Sequence, residues 1–529
     1  MSFKTYGKFN PAEIGEEVLA WWQKENLFQK SIEEKEGCPD FVFFEGPPSA
    51  NGHPGIHHVM ARTIKDIICR YKTMKGYRVL RKAGWDTHGL PVELGVEKEM
   101  GITKEDIGRT VSIEDYNARC RKNVMMYTEE WEDLSRRMGY WVDMKHPYIT
   151  YDNAYIETLW WLLGQLYKKG LLYKGYTIQP YSPAAGTGLS SHELPQPGCF
   201  RDVKDTTVTA LFRILDPTEE MSGWGTPCFA AWTTTPWTLP SNTALCVGPQ
   251  IDYAVVRTYN PYNAQPITVV VAQSRLTAYF KAEAAELPLD SYQVGDKLVP
   301  WQVVSTCKGT DLVGMHYAQL MPWVKPLEKV NDLAADFVKT YAQAHPEKCF
   351  TAAGDTFVEL ADEAFRVIPG DYVTTADGTG IVHIAPTFGA DDAKVARAAG
   401  IPSLFMVNDR GETRPMVDLT GRYYVMEDLA PEFVSACVDA EAYAHHAGDF
   451  VKNAYDPKFN VGGKYDEQAA AKAEDLNIII CMEMKQEGTA LKIEKHSRYG
   501  PHGWPEPSRT DPWPAPPVRQ GWHSPAHPD

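Results

Sequence analysis

Apolar residues recur from Ile56 to Met74 at Ile56, Val59, Met60, Ile64, Ile67, Ile68, Tyr71 and Met74, a spacing dominated by steps of three and four. That period predicts an α-helix with one buried face, and Gly76 is placed to end it. Ahead of it, Phe41-Val42-Phe43-Phe44 predicts a short strand, followed by a loop rich in Gly and Pro, EGPPSANGHPG. Behind it, Tyr77-Arg78-Val79-Leu80 predicts a second strand that leads into a turn at Gly84-Trp85-Asp86. Strand, loop, helix, strand is the opening of a doubly wound α/β sheet of the Rossmann type, a nucleotide-binding architecture. An earlier helix around Glu13–Trp22 belongs to a leader spanning residues 1–40.

Farther along, residues 105–180 read as helical and rich in aromatics, with Tyr155 to Tyr176 expected in a hydrophobic core. From about residue 201 the pattern changes to short β-like runs at Thr206–Leu211, Cys228–Trp232, Tyr253–Val256, Ile267–Ala272, Tyr372–Thr375 and Gly380–Ile384. A second, β-rich domain is therefore expected, inserted after the first sheet has begun. The helical pattern returns near Asp466–Asp475, and Leu476-Asn477-Ile478-Ile479-Ile480 resembles a buried strand. The expected division is a leader at 1–40, the first half of the α/β domain at 41–200, and the insertion at 201–430. A return segment follows at 431–496, then an aberrant Pro-rich tail at 497–529.

Charge and cysteine usage narrow the classes. Lys+Arg 53 against Asp+Glu 69 gives a net charge of −16, which excludes nucleic-acid binding through overall positive charge. No run approaches the roughly 18 apolar residues of a membrane span, and the first residues lack the apolar core of a signal peptide. A cytoplasmic protein without membrane contact is expected. The ten cysteines contain no CxxC pair, so neither a disulfide framework nor a zinc knuckle is predicted.

Two clusters carry chemistry. A loop that closes a strand and opens a helix aims N–H groups and the positive helix end at one point, which suits phosphate. His57 and His58, with His53 as a further candidate, could donate to phosphate oxygens there. The second cluster is Thr233-Thr234-Thr235 with Thr238, followed at a distance by His383 and Asp391-Asp392. This reads as a hydroxyl-lined pocket able to orient a water and hold an ammonium group; as bare strand residues the threonines would need no function.

The run FEGPPSANG, then GIHH, then IKDIICRYKTMKGYRVLRKAGWDTHGLPVE resembles the catalytic start of the class I aminoacyl-tRNA synthetases, and within them the isoleucyl family. The resemblance extends from about Phe9 to about His496. It implies a ligase that activates isoleucine with ATP and Mg²⁺, transfers it to tRNA(Ile), and works as a monomer. Pro47 is implied as pocket floor and Asp86 as holder of the α-ammonium. The family signature His-x-Gly-His is altered here to Gly55-Ile56-His57-His58. Gly55, His57 and His58 are therefore assigned to ATP, with His57 expected to replace the missing first histidine. The basic residues Arg62, Lys65, Arg70, Lys72, Lys75, Arg78, Arg81 and Lys82 form either a face for the tRNA acceptor end or a solvated helix face.

The β-rich insertion resembles the editing domain of the isoleucyl, valyl and leucyl enzymes. Carried over by position, Thr233, Thr234 and Thr235 contact the terminal adenosine and position water. Asn242 lines the pocket, and His383 with Asp392 binds the misattached amino acid. Such a sieve is needed because one methylene is worth only about 1–3 kcal/mol of discrimination. Zinc-binding cysteines that relatives carry are missing at Tyr181–Glu193, so no metal is assigned. A KMSKS-type lysine loop and an anticodon-binding domain are also missing from the 529 residues, and little synthetic activity is expected of them alone. The Pro-rich tail is expected to reflect a frameshift or incomplete gene, or else a natural short form. A free-standing editing hydrolase and an inactive tRNA-binding fragment are the alternative functions.

Overall fold

A computed structural model describes residues 7, 9–43, 45–172, 178–182, 187–190, 200–332, 334–461, 464–501 and 522–523. Phe44, parts of the Tyr181–Glu193 stretch and nearly all of the Pro-rich tail lie outside the described residues. The chain divides into two compact units, residues 1–173 and 174–529.

The first unit opens with α1 (Pro11–Glu25), where the Asn10 side chain accepts from the Ala12 N–H at 3.3 Å and Pro11 occupies a position that needs no donor. Helix α2 (Leu27–Glu33) follows, then α3 (Ile56–Met74), entered through Gly55 and left through Lys75 and Gly76, the latter at φ +95°. Strand β1 (Lys82–Trp85) runs parallel to β2 (Asp143–Ile149). Between them lie α4 (Leu90–Met100), α5 (Ile113–Val124) and α6 (Thr128–Arg137), and α7 (Asn153–Lys168) closes the unit.

Three expectations change here. Phe41–Phe43 forms no strand: the approach of this segment to Tyr77–Leu80 is a single parallel bridge, Asp40 to Arg78, and regular pairing starts only at Lys82. The face of α3 expected to be buried is exposed at Ile56, Met60, Ile64, Ile67, Ile68, Tyr71 and Met74, whereas Arg62 and Cys69 on the other side are buried. Ion pairs turn the polar side inward, Arg70 to Asp66 at 2.6 Å and Lys65 to Glu45 at 2.5 Å. Helix α7 likewise exposes Trp160, Trp161, Leu162, Leu166 and Tyr167 instead of contributing them to a core. A helical period identifies an apolar face but not the element that covers it.

The second unit is built on a sheet containing six strands among the described residues, β3 (Phe200–Arg213), β4 (Thr226–Thr233), β6 (Asp252–Tyr259), β7 (Pro266–Ala272), β8 (Gln302–Lys308) and β11 (Ala490–Pro501), in the order β8-β6-β7-β4-β3-β11. A second sheet has the order β9-β5-β10, from β5 (Ala244–Val247), β9 (Arg366–Pro369) and β10 (Ile381–Ile384). Strand β7 reads Ile267-Thr268-Val269-Val270-Val271-Ala272, buried throughout, as a β-branched run covered on both faces should be. The core joins Phe212, Phe229, Trp237, Tyr253, Tyr317 and Tyr423.

Tyr372–Thr375 is a turn and not a strand; the Arg275 guanidinium holds the end of that loop at the carbonyls of Ala376 and Gly378. Leu476–Ile480, expected as a strand, opens α9 (Leu476–Glu487). Asp475 caps it by accepting from Ile478 N at 3.1 Å, and Gly488 ends it at φ +76°. A short apolar run cannot distinguish a strand from a buried helix; the cap and the stop decide. The segment expected to return toward the first domain packs into the second unit: Phe433, Tyr443, Leu476, Ile480 and Met484 share the core of Trp237, and β11 pairs antiparallel with β3. Among the described residues, no helix is long and apolar enough to cross a membrane.

Candidate functional site

In the first unit, the Gly/Pro loop is pinned from both ends. Ala50, fully buried, accepts from Tyr127 N at 2.9 Å, and the Trp131 indole donates to the Gly52 carbonyl at 2.9 Å. Asp86 N donates to the Pro48 carbonyl at 3.0 Å, which brings the Pro47-Pro48 pair beside Asp86. The Asp86 carboxylate accepts from His88 N at 3.4 Å, a turn bond. Gly84 is needed where it stands, because a Cβ there would lie 2.3 Å from the Tyr148 ring, whose hydroxyl donates to the Glu45 carbonyl.

His57 and His58 sit at the N-terminus of α3 with ring centroids 3.7 Å apart. The Gly55 N–H donates to His58 Nδ1 at 2.8 Å. That bond assigns the His58 proton to Nε2, and burial, with His57 and Arg62 adding to it, holds the pKa below its usual value. His58 is thus a neutral donor at the mouth of the helix. A Cβ on residue 55 would meet the His57 ring at 2.8 Å, so a glycine there accommodates the exposed imidazole of His57. His53 is engaged elsewhere, 2.8 Å from Glu130 and tilted over Tyr127.

The basic stripe is largely spent inside this unit. Arg62 lies over the rings of Trp131 and Tyr140, Arg70 over Trp141, and Lys72 over Phe41 and Tyr77. Arg81 is buried near Asp66. Glu45 accepts from Lys65 and from the Tyr140 hydroxyl. Together with Arg62, Trp85 and Trp131 it lines a small cavity.

In the second unit, the threonine run leaves β4 and enters a fully buried two-turn 3₁₀ segment, Pro236–Ser241. Thr233 Oγ1 accepts from Thr235 N at 3.1 Å, and Thr235 Oγ1 lies 3.2 Å from Thr238 Oγ1. Thr238 Oγ1 donates to the Thr235 carbonyl at 2.8 Å and lies 3.1 Å from His383 Nε2. Thr234 is partly exposed beside them. Asn242 Oδ1 accepts from the Tyr317 hydroxyl at 2.7 Å, which directs its Nδ2 at the Ala244 carbonyl (2.8 Å) and at His383 Nδ1 (3.4 Å). Thr238 gives its one proton to the Thr235 carbonyl, so it accepts from His383 Nε2–H, and Nδ1 is left facing the Asn242 amide, which also reaches the Ile384 carbonyl at 3.3 Å. Burial lowers the His383 pKa to about 4, so the ring stays neutral. His383 therefore stands behind Thr238 as an orienting group.

Asp392 lies at the start of α8 (Ala390–Ala398), and its Oδ2 accepts from Ala385 N at 3.0 Å, two residues beyond His383. Burial pushes its pKa up to about 6, opposed by the Ala385 bond and assisted by Asp391. Gly389 makes room for this fold-back, since a Cβ there would sit 2.6 Å from the carboxylate. Gly389→Ala is expected to displace the carboxylate and weaken the site about tenfold while leaving the thermal midpoint within a few degrees; steady-state kinetics beside a melting curve checks this.

The structure thus joins Thr233, Thr235, Asn242 and His383 in one network and sets Asp392 at the end of β10. Sequence reasoning counted Thr238 among the hydroxyls without giving it a role and missed Tyr317, which no local motif marks. Among the described residues, no group of three or more His, Cys, Asp or Glu is placed to hold a metal ion.

The family described as tRNA synthetases class I (I, L, M and V) matches residues 17–473, and the chain belongs to it. Its mixed α/β fold, with a two-stranded parallel sheet in the first unit and a β-rich second unit, is consistent with the first half of a Rossmann-type domain carrying a β-rich insertion. The chain is 64% identical over 509 residues to the isoleucine–tRNA ligase of Bacteroides thetaiotaomicron, covering 96% of this chain and 42% of that protein. Against the isoleucine–tRNA ligase of Porphyromonas gingivalis it is 57% identical over 511 residues, 96% of this chain and 41% of the relative. The corresponding ligase of Cytophaga hutchinsonii is 48% identical over 501 residues, 94% of this chain and 40% of that one. The chain spans about two fifths of the length of these curated relatives.

Proposed function

We propose that this chain is part of an isoleucine–tRNA ligase and that its second unit hydrolyses mischarged Val-tRNA(Ile). The observation that carries the reading is the oriented chain Tyr317-Asn242-His383-Thr238-Thr235 with the Asp392 carboxylate fixed at the end of the same strand. Asp392 holds the α-ammonium of the misattached valine. Thr233, Thr234 and Thr235 face the terminal adenosine, and the Thr235 hydroxyl orients a water. That water adds to the ester carbonyl, the bond to the ribose oxygen breaks, and the proton passes to the departing ribose hydroxyl. Since His383 is neutral with Nε2 directed at Thr238, it fixes the hydroxyl and takes no proton.

In the first unit, the same reading gives the synthetic half its contacts. The neutral Nε2–H of His58 and the imidazole of His57 meet the ATP phosphates at the helix mouth, where Gly55 permits close approach. Pro47 floors the isoleucine pocket and Asp86 pairs with its ammonium. Mg²⁺ bound to ATP would supply screening of the phosphate charge there, beside His57 and His58.

Deacylation of Val-tRNA(Ile) by the purified chain, with Asp392→Ala as control, tests the proposal. Hydrolysis lost in the control is expected, with the rate falling as pH drops through about 6, where Asp392 takes up its proton. A folded chain that leaves Val-tRNA(Ile) intact at pH 7.5 would overturn it.

A further inference from the structure

The threonine loop is held by a buried polar relay that begins on a different element. Pro236 has no N–H, so the Trp237 N–H is the first donor of the buried turn, and a turn end of this kind needs an outside acceptor. Asn477 on α9 supplies it: its Oδ1 accepts from Trp237 N at 3.1 Å. The Trp237 carbonyl is taken by the Tyr423 hydroxyl at 2.5 Å, so both main-chain groups of this residue are held. Asn477 is fully buried, and its Nδ2 donates to Asp205 Oδ1 at 3.2 Å. Asp205 is in turn paired with Lys452 at 2.9 and 2.7 Å and accepts from Thr206 N. Lys452 also reaches Asp475 at 3.4 Å, and Asp475 caps α9.

The relay admits one orientation of the amide. Nδ2 must face the carboxylate and Oδ1 the N–H, because the flipped amide would set oxygen against Asp205 and nitrogen against a donor. Trp237 lies between Thr235 and Thr238 in sequence, and its ring packs edge-on against Phe388 at 5.0 Å, next to Gly389 in the turn that leads to Asp392. A shift of this one residue therefore moves both the hydroxyls and the carboxylate turn.

We propose that Asn477 is a positioning residue for hydrolysis: through Trp237 it sets the threonine loop against the Asp392 turn, in register with a substrate it does not touch. The inference rests on the editing reading and deepens it. Misplacement by a fraction of an ångström lowers turnover more than binding.

The test uses the 529-residue chain, with Asn477→Ala and the exchanged pair Asp205→Asn/Asn477→Asp. In that pair, one carboxylate and one amide remain between Trp237 and Lys452. Asn477→Ala is expected to lower kcat for Val-tRNA(Ile) by about 10- to 100-fold with KM within about threefold. Amide exchange should rise at Trp237 and Thr238 but not in β7, and the exchanged pair should recover most of the turnover. Unchanged kcat, unchanged exchange at Trp237, or loss of protection throughout the unit would each overturn the assignment. Should Asn477→Ala fail to fold, the exchanged pair decides alone: turnover within about threefold of the parent supports the relay, and a folded, inactive pair refutes it. A folded parent with no hydrolysis defeats the editing reading itself, and exchange at Trp237 then judges only the anchoring.

Discussion

Replacing Asp392 with Asn is expected to lower Val-tRNA(Ile) hydrolysis by about 100-fold and, in the same variant, to make the second unit more stable above pH 6. Both effects come from one partly buried charge. Burial raises the carboxyl to about 6, whereas in an unfolded chain it titrates near 3.9. The folded state therefore binds this proton more tightly than the unfolded state does. The stability that this preference contributes is present below about pH 4, is lost as pH rises toward about 6, and stays lost above it. The difference corresponds to about 2–3 kcal/mol. Asn retains an oxygen for the Ala385 N–H and removes the charge, so the cost disappears along with the ammonium ligand. Urea unfolding at pH 4 and pH 8 beside kcat/KM would show it: a gain at pH 8 and none at pH 4. Hydrolysis at the parent rate would remove Asp392 from the ammonium site, and equal stability at both pH values would remove the buried charge.

The second large effect concerns Trp131→Ala in the first unit. Trp131 is 1% exposed, donates to the Gly52 carbonyl, packs beside His58 at 4.5 Å and carries the Arg62 guanidinium on its ring. Truncation removes a large buried side chain and releases the loop, so a loss of about 3–5 kcal/mol is expected. The second unit has its own core and should keep its midpoint, which turns unfolding into two separate steps. Scanning calorimetry with limited proteolysis of each unit would follow them. A single transition shifted as a whole would contradict independent cores.

Much of this arrangement could be read along the chain because its signals are local. The period of Ile56–Met74, the stop at Gly76 and the β-branched run at Ile267–Ala272 each specify an element within about twenty residues. The threonine run, His383 and Asp392 stood out for the same reason, each lying in a short motif, and the structure brings Thr233, Thr235 and His383 into one hydrogen-bonded network. What escaped depends on distant partners. Asn477 reaches Trp237 across a separation of 240 residues and Tyr317 reaches Asn242 across 75, and neither pairing leaves a local trace. The α3 face was misread because burial depends on a neighbour while periodicity does not. The Leu476–Ile480 run was misread because five apolar residues suit either element until the Asp475 cap is weighed.

The close fit of Gly55 against the His57 ring also bears on how this signature could have arisen. Relative to His-x-Gly-His, two positions have exchanged character. A side chain at 55 would meet the His57 ring at 2.8 Å and would have to push that exposed imidazole aside. Restoring glycine at 57 first leaves the loop with one imidazole fewer. A side chain at 55 would thus set where His57 can point, which ties the two positions of the loop to each other.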